Sequence, residues 1–507
     1  MQETENFKSK IDQGYTFKGK SITLGGGMFN KQVVPGALVR IPLNVVNRHG
    51  LIAGATGTGK TKTIQRFAES LSENGIPVLL MDIKGDLSGI AKPGIENPKI
   101  TERHKLIDIE WKPEQFSAEL MSISAEKGLR LRATVSEFGP VLFSKILELN
   151  DNQQGAVAIV FKYSDDKNLP LLDIKDFRQL LNHVINEGKD ELKMYGQISP
   201  ATAGVIMRKL LELEQQGADK FFGEKSFDVN DLTRNDKNGF GIINIIRLCD
   251  MQDKPKLFST FMLCLLAEVF QKFPEMGDKA APKLVIFIDE AHLIFREATK
   301  TLLDQLETVI KLIRSKGVGI YFCTQIPGDI PDVILSQLGS KFQHAMRAFT
   351  AKDRKEIKLV AENYPSTEFY KTETLLTELG IGEALITVLD ERGSPTPLSH
   401  TMLCAPHTRM DVLTPAEQDE IVASSEIARE YNEVIDRESA YEMLTRKMSA
   451  SVSADEENEA PVRKEQSSSI ADTLSKVSKN PIVKQVAREV TRGILGVLFG
   501  KSTTRRR

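Results

Sequence analysis

The chain has 507 residues, with 67 Lys+Arg against 69 Asp+Glu, 41% hydrophobic and 27% charged. At roughly 150 residues per domain this length makes about three domain-sized units, and the composition excludes a wholly disordered or collagen-like chain. A net charge of −2 excludes a uniformly basic nucleic-acid coat but not a local basic pore, which depends only on where the charges sit. The cysteines Cys249, Cys264, Cys323 and Cys404 have no metal-ligand spacing and read as reduced packing residues. The chain opens with the polar run Met1 to Glu5, and no stretch approaches the ~20 apolar residues needed to span a bilayer. A cytoplasmic location is expected.

Residues 15–47, rich in Gly, Val, Ile and Pro, read as short strands, so 1–47 is predicted as an N-terminal β segment. An α/β pattern follows. It runs as a strand at 49–53, a helix at 60–74 and a buried parallel strand from Pro77 to Met81, closed by Asp82. Residues 85–280 break this rhythm with amphipathic helices at 138–149, 174–187, 200–216 and 256–273, and one strand at 241–248. The third of these helices to be predicted has Ser199 as N-cap and Pro200 at its first position. The stretch reads as a large, mostly helical insertion. The α/β pattern resumes with strands at 284–288, 318–323, 342–348 and 383–388, giving a core of 48–84 and 281–405.

Thr414-Pro415-Ala416-Glu417 is a capping box that opens a predicted helix over 410–448. Residues 449–468 read as a flexible linker. In the tail, 469–507, Ile482, Val486, Val490, Ile494 and Leu498 recur at fourfold spacing beside the basic row Lys484, Arg488 and Arg492. This is either a helix that docks on protein or one that meets phosphates or a membrane surface. Docking is preferred.

The strongest chemical signal is Gly54-Ala55-Thr56-Gly57-Thr58-Gly59-Lys60-Thr61, a G-x-x-x-x-G-K-[ST] phosphate loop between a strand and a helix, with Lys62 also expected among the phosphate-binding residues. Its glycines let backbone amides turn inward on an anion, Lys60 reaches the β- and γ-phosphates of ATP, and Thr61 takes a place on Mg²⁺. The second signal is Leu284-Val285-Ile286-Phe287-Ile288-Asp289-Glu290. At the carboxyl edge of such a sheet Asp289 is placed for Mg²⁺ and Glu290 to polarise the attacking water. The strand Gly319 to Thr324 ends at Gln325, where it would meet the γ-phosphate.

Arg314 ends the helix before that strand, too far round the sheet for its own site. At a subunit boundary it would lend charge to a neighbour's transition state, and otherwise it is a helix-terminal arginine favoured by the dipole. Arg347 is a weaker candidate for the same duty. Asp82 is placed either to orient Lys84 or the metal's waters, or simply to make a strand-end turn. The histidines do not cluster, so no zinc site is expected, and Trp111 reads as packing.

The loop in its setting Asn47 to Gly54, the segment Asp82-Ile83-Lys84-Gly85-Asp86-Leu87-Ser88-Gly89, Asp289-Glu290-Ala291-His292, Leu312 to Gly319 and Thr324-Gln325-Ile326-Pro327 occur in order. Together they closely resemble the HerA-like branch of the HerA/FtsK ATPases, and within it the bacterial YjgR-type proteins, over about residues 20–405. The resemblance implies an α/β fold, a RecA-like P-loop NTPase core in which an additional strand separates the two nucleotide motifs. It also implies a hexameric ring that drives DNA through its centre. Lys60 and Thr61 would serve phosphate and Mg²⁺, Asp289 and Glu290 metal and water, Gln325 sensing, and Arg314 a neighbouring subunit. HerA proteins proper carry an N-terminal barrel that docks a nuclease. Only about 50 residues precede the phosphate loop here, so a nuclease partner is not expected.

The expected activity is therefore ATP hydrolysis by an oligomeric DNA translocase. The alternative is an ATPase switch or nucleotide-dependent scaffold that does not move on DNA. A single phosphate-loop core argues against a two-lobed helicase, and the want of an acceptor-binding base against a kinase.

Overall fold

Strands whose every side chain is apolar need cover on both faces, and the chain supplies it with one large sheet and flanking helices. In the computed structural model the described residues are 2–186, 191–277, 281–295, 300–433, 435 and 437–446. They divide into two units, one drawn from the described residues of 2–131 and 228–432, the other from those of 132–227 and 433–446.

The first unit holds a 12-stranded sheet. Its strands are β1 (Ser21–Phe29), β2 (Gln32–Pro42), β3 (Gly50–Ala53), β4 (Val78–Asp82), β5 (Ala118–Ser122) and β6 (Leu129–Arg130). They continue with β7 (Ile243–Arg247), β8 (Leu284–Ile288), β9 (Val318–Thr324), β10 (Ser340–Gln343), β11 (Glu383–Thr387) and β12 (Ser399–Leu403). The order across the sheet is β2-β1-β12-β11-β10-β3-β9-β8-β4-β7-β5-β6. From β10 to β6 all neighbours are parallel, and from β10 back to β2 all are antiparallel. The strand β9 lies between β3, which leads into the phosphate loop, and β8, which ends at Asp289. This is the additional separating strand that the resemblance implies. The helix α2 (Lys60–Glu73) lies across this centre, with the Phe67 ring 5.5 Å from Phe287, 5.2 Å from Tyr321 and 5.7 Å from Phe342.

Several elements differ from expectation. The segment 1–47 is not all β. It opens with a helix, α1 (Gln2–Tyr15), whose Phe7, Ile11 and Tyr15 are fully buried at fourfold spacing, with the Tyr15 hydroxyl donating to the Pro397 carbonyl at 2.7 Å. Its remaining residues are too polar to announce a buried stripe. Within 85–280, β5, β6 and β7 all join the main sheet, so much of this stretch is core rather than insertion. The strand β5 carries Glu119, tied to Arg234 at 2.8 Å, which hides its apolar pattern. The helix α3 (Pro98–Ile107), capped by the Asn97 side chain, was also not foreseen.

The expected strand at 342–348 ends at Gln343. Beyond it the backbone turns to bond the phosphate loop, with the His344 amide on the Ala53 carbonyl at 2.7 Å and the Ala345 carbonyl accepting from Ala55 at 2.8 Å. The capping box at Thr414 and Glu417 is present, but its helix stops at Ser424, whose hydroxyl donates to the Ile421 carbonyl, and a second short helix spans Ala428–Asn432. Residues 449–468 and 469–507, with the expected linker and basic tail, lie outside the described residues.

The second unit is helical. Helices Val135–Ile146, Asp151–Asp166, Ile174–Asn186 and Pro200–Gln215 pack around Phe143, Phe161 and Phe177, and the Ser199 cap takes the Thr202 amide. Capping boxes at Thr134/Glu137 and Asn150/Gln153 start the first two. Among the described residues no helix is long and apolar enough to cross a membrane.

Candidate active site

The phosphate loop leaves β3 at the carboxyl edge of the parallel strands, where backbone amides are free to bind an anion. Gly54 has φ +149°, and a Cβ there would fall 2.5 Å from the His344 Cβ. Gly59 has φ +109° and caps α2. Both positions exclude any other residue, one by contact and one by backbone conformation. The Lys60 ammonium, nearly buried, donates to the carbonyls of Gly54 at 2.6 Å and Ala55 at 3.1 Å. Burial holds its pKa below the ordinary lysine range, and the neighbouring Lys84 adds to this. Thr58 bonds the Ala55 carbonyl at 2.7 Å and offers its own carbonyl to the Gly382 amide at 3.0 Å, bracing the loop from β11. Thr61 is half-buried in the first turn of α2. Lys62 is engaged elsewhere, its ammonium donating to the Met410 carbonyl at 2.5 Å and to Gln65 Oε1 at 3.2 Å.

Asp289 and Glu290 follow β8 and are 2% and 7% exposed. Glu290 sits at φ +44°, a left-handed conformation that side chains disfavour. The hydrogen bond from the Ala291 amide to the Cys323 carbonyl, 2.8 Å, holds the turn in this shape. Asp289 Oδ2 is buried without a hydrogen-bond partner, and burial raises its carboxyl above the usual range while Lys84 opposes this. The Cys323 thiol donates to Asp289, and burial raises its own pKa well above the ordinary thiol value. An orphaned, buried carboxylate oxygen suits a hard divalent cation such as Mg²⁺, which takes oxygen ligands.

Lys84, on the turn after β4, contacts Glu290 Oε1 and stands 3.9 Å from Asp289 Oδ2. Its turn is shaped by Asp82, whose carboxylate accepts the amides of Gly85 at 2.7 Å, Asp86 at 3.2 Å and Leu87 at 3.1 Å. Burial pushes the Asp82 carboxyl up to about 7 despite these donors. Lys60, Lys84, Asp289 and Cys323 thus have ionisation shifted by burial and by the charges gathered here, the Glu290 carboxylate among them. Sequence reasoning gave Lys84 only a contingent part, although its segment is one of the family motifs, and treated Cys323 as packing, which no local pattern contradicts.

Gln325 is exposed at the end of β9, one residue past Thr324, whose carbonyl accepts from Gly54 at 3.3 Å. It therefore sits at the same edge, between the two motifs. Arg347 is exposed, two residues past Ala345 on the segment that braces the loop. Arg314 is not brought to the site. It lies before β9, at the amino edge of the sheet, roughly 20 Å away by strand rise. There it lines a cleft of about 810 Å³ with Arg48, His49, Lys311 and Lys341. His344, also unforeseen, meets Thr63 Oγ1 at 2.9 Å beside the loop. His407, with Glu73 and Glu114, forms a group at the other end of α2, where Glu73 is already paired with Arg66 at 3.1 Å.

The family model for the helicase HerA-like C-terminal region matches residues 30–478. The DNA double-strand break repair helicase HerA of Sulfurisphaera tokodaii is 26% identical over 367 residues, 69% of this chain and 64% of that protein. The DNA import protein CedB of Sulfolobus acidocaldarius is 22% identical over 361 residues, 70% of this chain and 52% of that protein. The chain thus spans less than two thirds of the length of these curated relatives. Among solved structures, the bacterial conjugative coupling protein TrwB superimposes with a TM-score of 0.51 at 14% identity, over 80% of this chain and 94% of that one. The order of the strands, the loop they carry and the match along most of its length agree: the chain belongs to the HerA-like family of P-loop ATPases.

Proposed function

We propose that this chain binds ATP with Mg²⁺ and hydrolyses it, and that it works as an oligomeric, hexameric motor on DNA. The observation that carries the reading is the meeting of Lys60, Asp289 and Glu290 at one sheet edge. The loop amides and Lys60 hold the phosphates, and Thr61 with Asp289 would hold the cation. Bound Mg²⁺ would neutralise charge between the β- and γ-phosphates. Glu290 polarises the attacking water, and Gln325, exposed after β9, would sense the γ-phosphate. A purely binding scaffold has no use for a carboxylate at the place Glu290 occupies.

The curated relatives are a DNA repair helicase and a DNA import protein, and TrwB has been solved with a non-hydrolysable ATP analogue, which supports nucleotide and DNA as ligands. The oligomer is supported by Arg314. It is exposed, no acidic partner is seen for it among the described residues, and it is remote from its own loop, so its cleft suits the phosphates presented by a neighbouring copy. The near-neutral net charge of −2 favours the alternative, a switch that hydrolyses ATP without moving on DNA.

The test is the ATPase rate with and without single- and double-stranded DNA across a salt series, beside a mass measurement in ATP. Stimulation that falls steeply with salt supports the motor. A flat response at low salt supports the switch.

A further inference from the structure

Lys84 is fixed at its backbone and carries a long side chain whose tip is paired with Glu290. Ile83 is buried at 1% exposure on one side, and on the other Gly85, at φ +77°, is pinned by its amide to Asp82. A Cβ at Gly85 would fall 2.8 Å from the Cys249 sulfur, so the turn tolerates little change. The side chain, 32% exposed, reaches from β4 to the end of the adjacent β8 and places its ammonium against Glu290. The pairing occupies the oxygen of the one residue that must be available to a water molecule. The other Glu290 oxygen lies 3.2 Å from His292 Nδ1 without a hydrogen bond between them.

The charges argue for movement. Two ammonium groups, Lys60 and Lys84, lie near two carboxylates, Asp289 and Glu290, and the Lys84 charge bears on Lys60. A triphosphate arriving on the loop adds negative charge at the γ position, which competes with Glu290 for the Lys84 ammonium. We propose that Lys84 is a second phosphate-reading cation of this site, moving from Glu290 to the γ-phosphate and so freeing Glu290 for water only when a third phosphate is present. The proposal rests on the ATPase reading above. A structural ion pair of this exposure contributes little to stability and does not discriminate ATP from ADP.

The test uses the full chain and its Lys84→Met, Lys84→Gln and Lys84→Arg variants. Affinities for a non-hydrolysable ATP analogue and for ADP, both with Mg²⁺, are measured by calorimetry, and turnover is measured separately. Lys84→Met and Lys84→Gln should weaken the ATP analogue about tenfold, change ADP less than about twofold, and lower kcat about 10²-fold, with Lys84→Arg recovering part of both losses. Equal effects on the two nucleotides, or none on either, in a folded variant would overturn the proposal. If one neutral variant fails to fold, the other and Lys84→Arg still decide it. Should the unaltered chain neither bind nor cleave ATP, the underlying reading fails instead, so the two failures are separable.

Discussion

The Gly54 amide donates to the Thr324 carbonyl at 3.3 Å, tying the first residue of the phosphate loop to the last residue of β9. On its other side β9 pairs with β8, Phe322 opposite Ile288, and the Cys323 carbonyl takes the Ala291 amide. One strand therefore sets the spacing between the loop and the carboxylates.

Glu290→Gln should retain ATP binding to within a few-fold while turnover falls by about 10²-fold or more, because the amide cannot accept the water's proton. Filter binding beside a phosphate-release assay checks this. Near-normal hydrolysis would refute the assigned role.

Arg314→Ala and Lys60→Ala should each be inactive alone and recover activity when mixed. In a mixed oligomer some interfaces pair an intact loop with an intact arginine. The measurement is ATPase rate against mixing ratio, and no recovery at any ratio counts against a shared site.

Phe67→Ala should destabilise the first unit by about 3–5 kcal/mol, since the ring fills the space above Phe287, Tyr321 and Phe342. Denaturant unfolding reads the loss. A change below about 1 kcal/mol would mean that α2 packs on the sheet by other contacts.

His49 gives a pH dependence with a fixed sign. Its Nε2 meets the Ile310 carbonyl at 2.9 Å and its Nδ1 accepts the Ile320 amide at 3.0 Å, a pattern only the neutral ring satisfies. Burial lowers its pKa to about 4 from 6.5. Below about pH 6.5 the unfolded chain takes up a proton that the folded chain refuses, so this contribution is complete above that pH and is lost as pH falls toward 4. The slope is at most about 1.4 kcal/mol per pH unit. His49→Gln should flatten the stability profile between pH 6.5 and 4 relative to the unaltered chain, as read by unfolding at each pH.

The sequence by itself determined the phosphate loop, because its glycines, Lys60 and Thr61 are contiguous and their chemistry is local. It likewise determined the strands β4, β8 and β9, whose uninterrupted apolar runs admit little but burial on both faces. It marked caps at Ser199 and Thr414 for the same local reason. What it could not mark depends on neighbours far along the chain. The helix α1 is stable only because Phe7 and Tyr15 find Phe29 and Pro397, and β5 hides its charge on Arg234. The pairing of Lys84 with Glu290 and the bond from Cys323 to Asp289 join residues on or just after three separate strands. Strand order across the sheet decides such meetings, and that order follows from which faces bury together rather than from any residue's own preference.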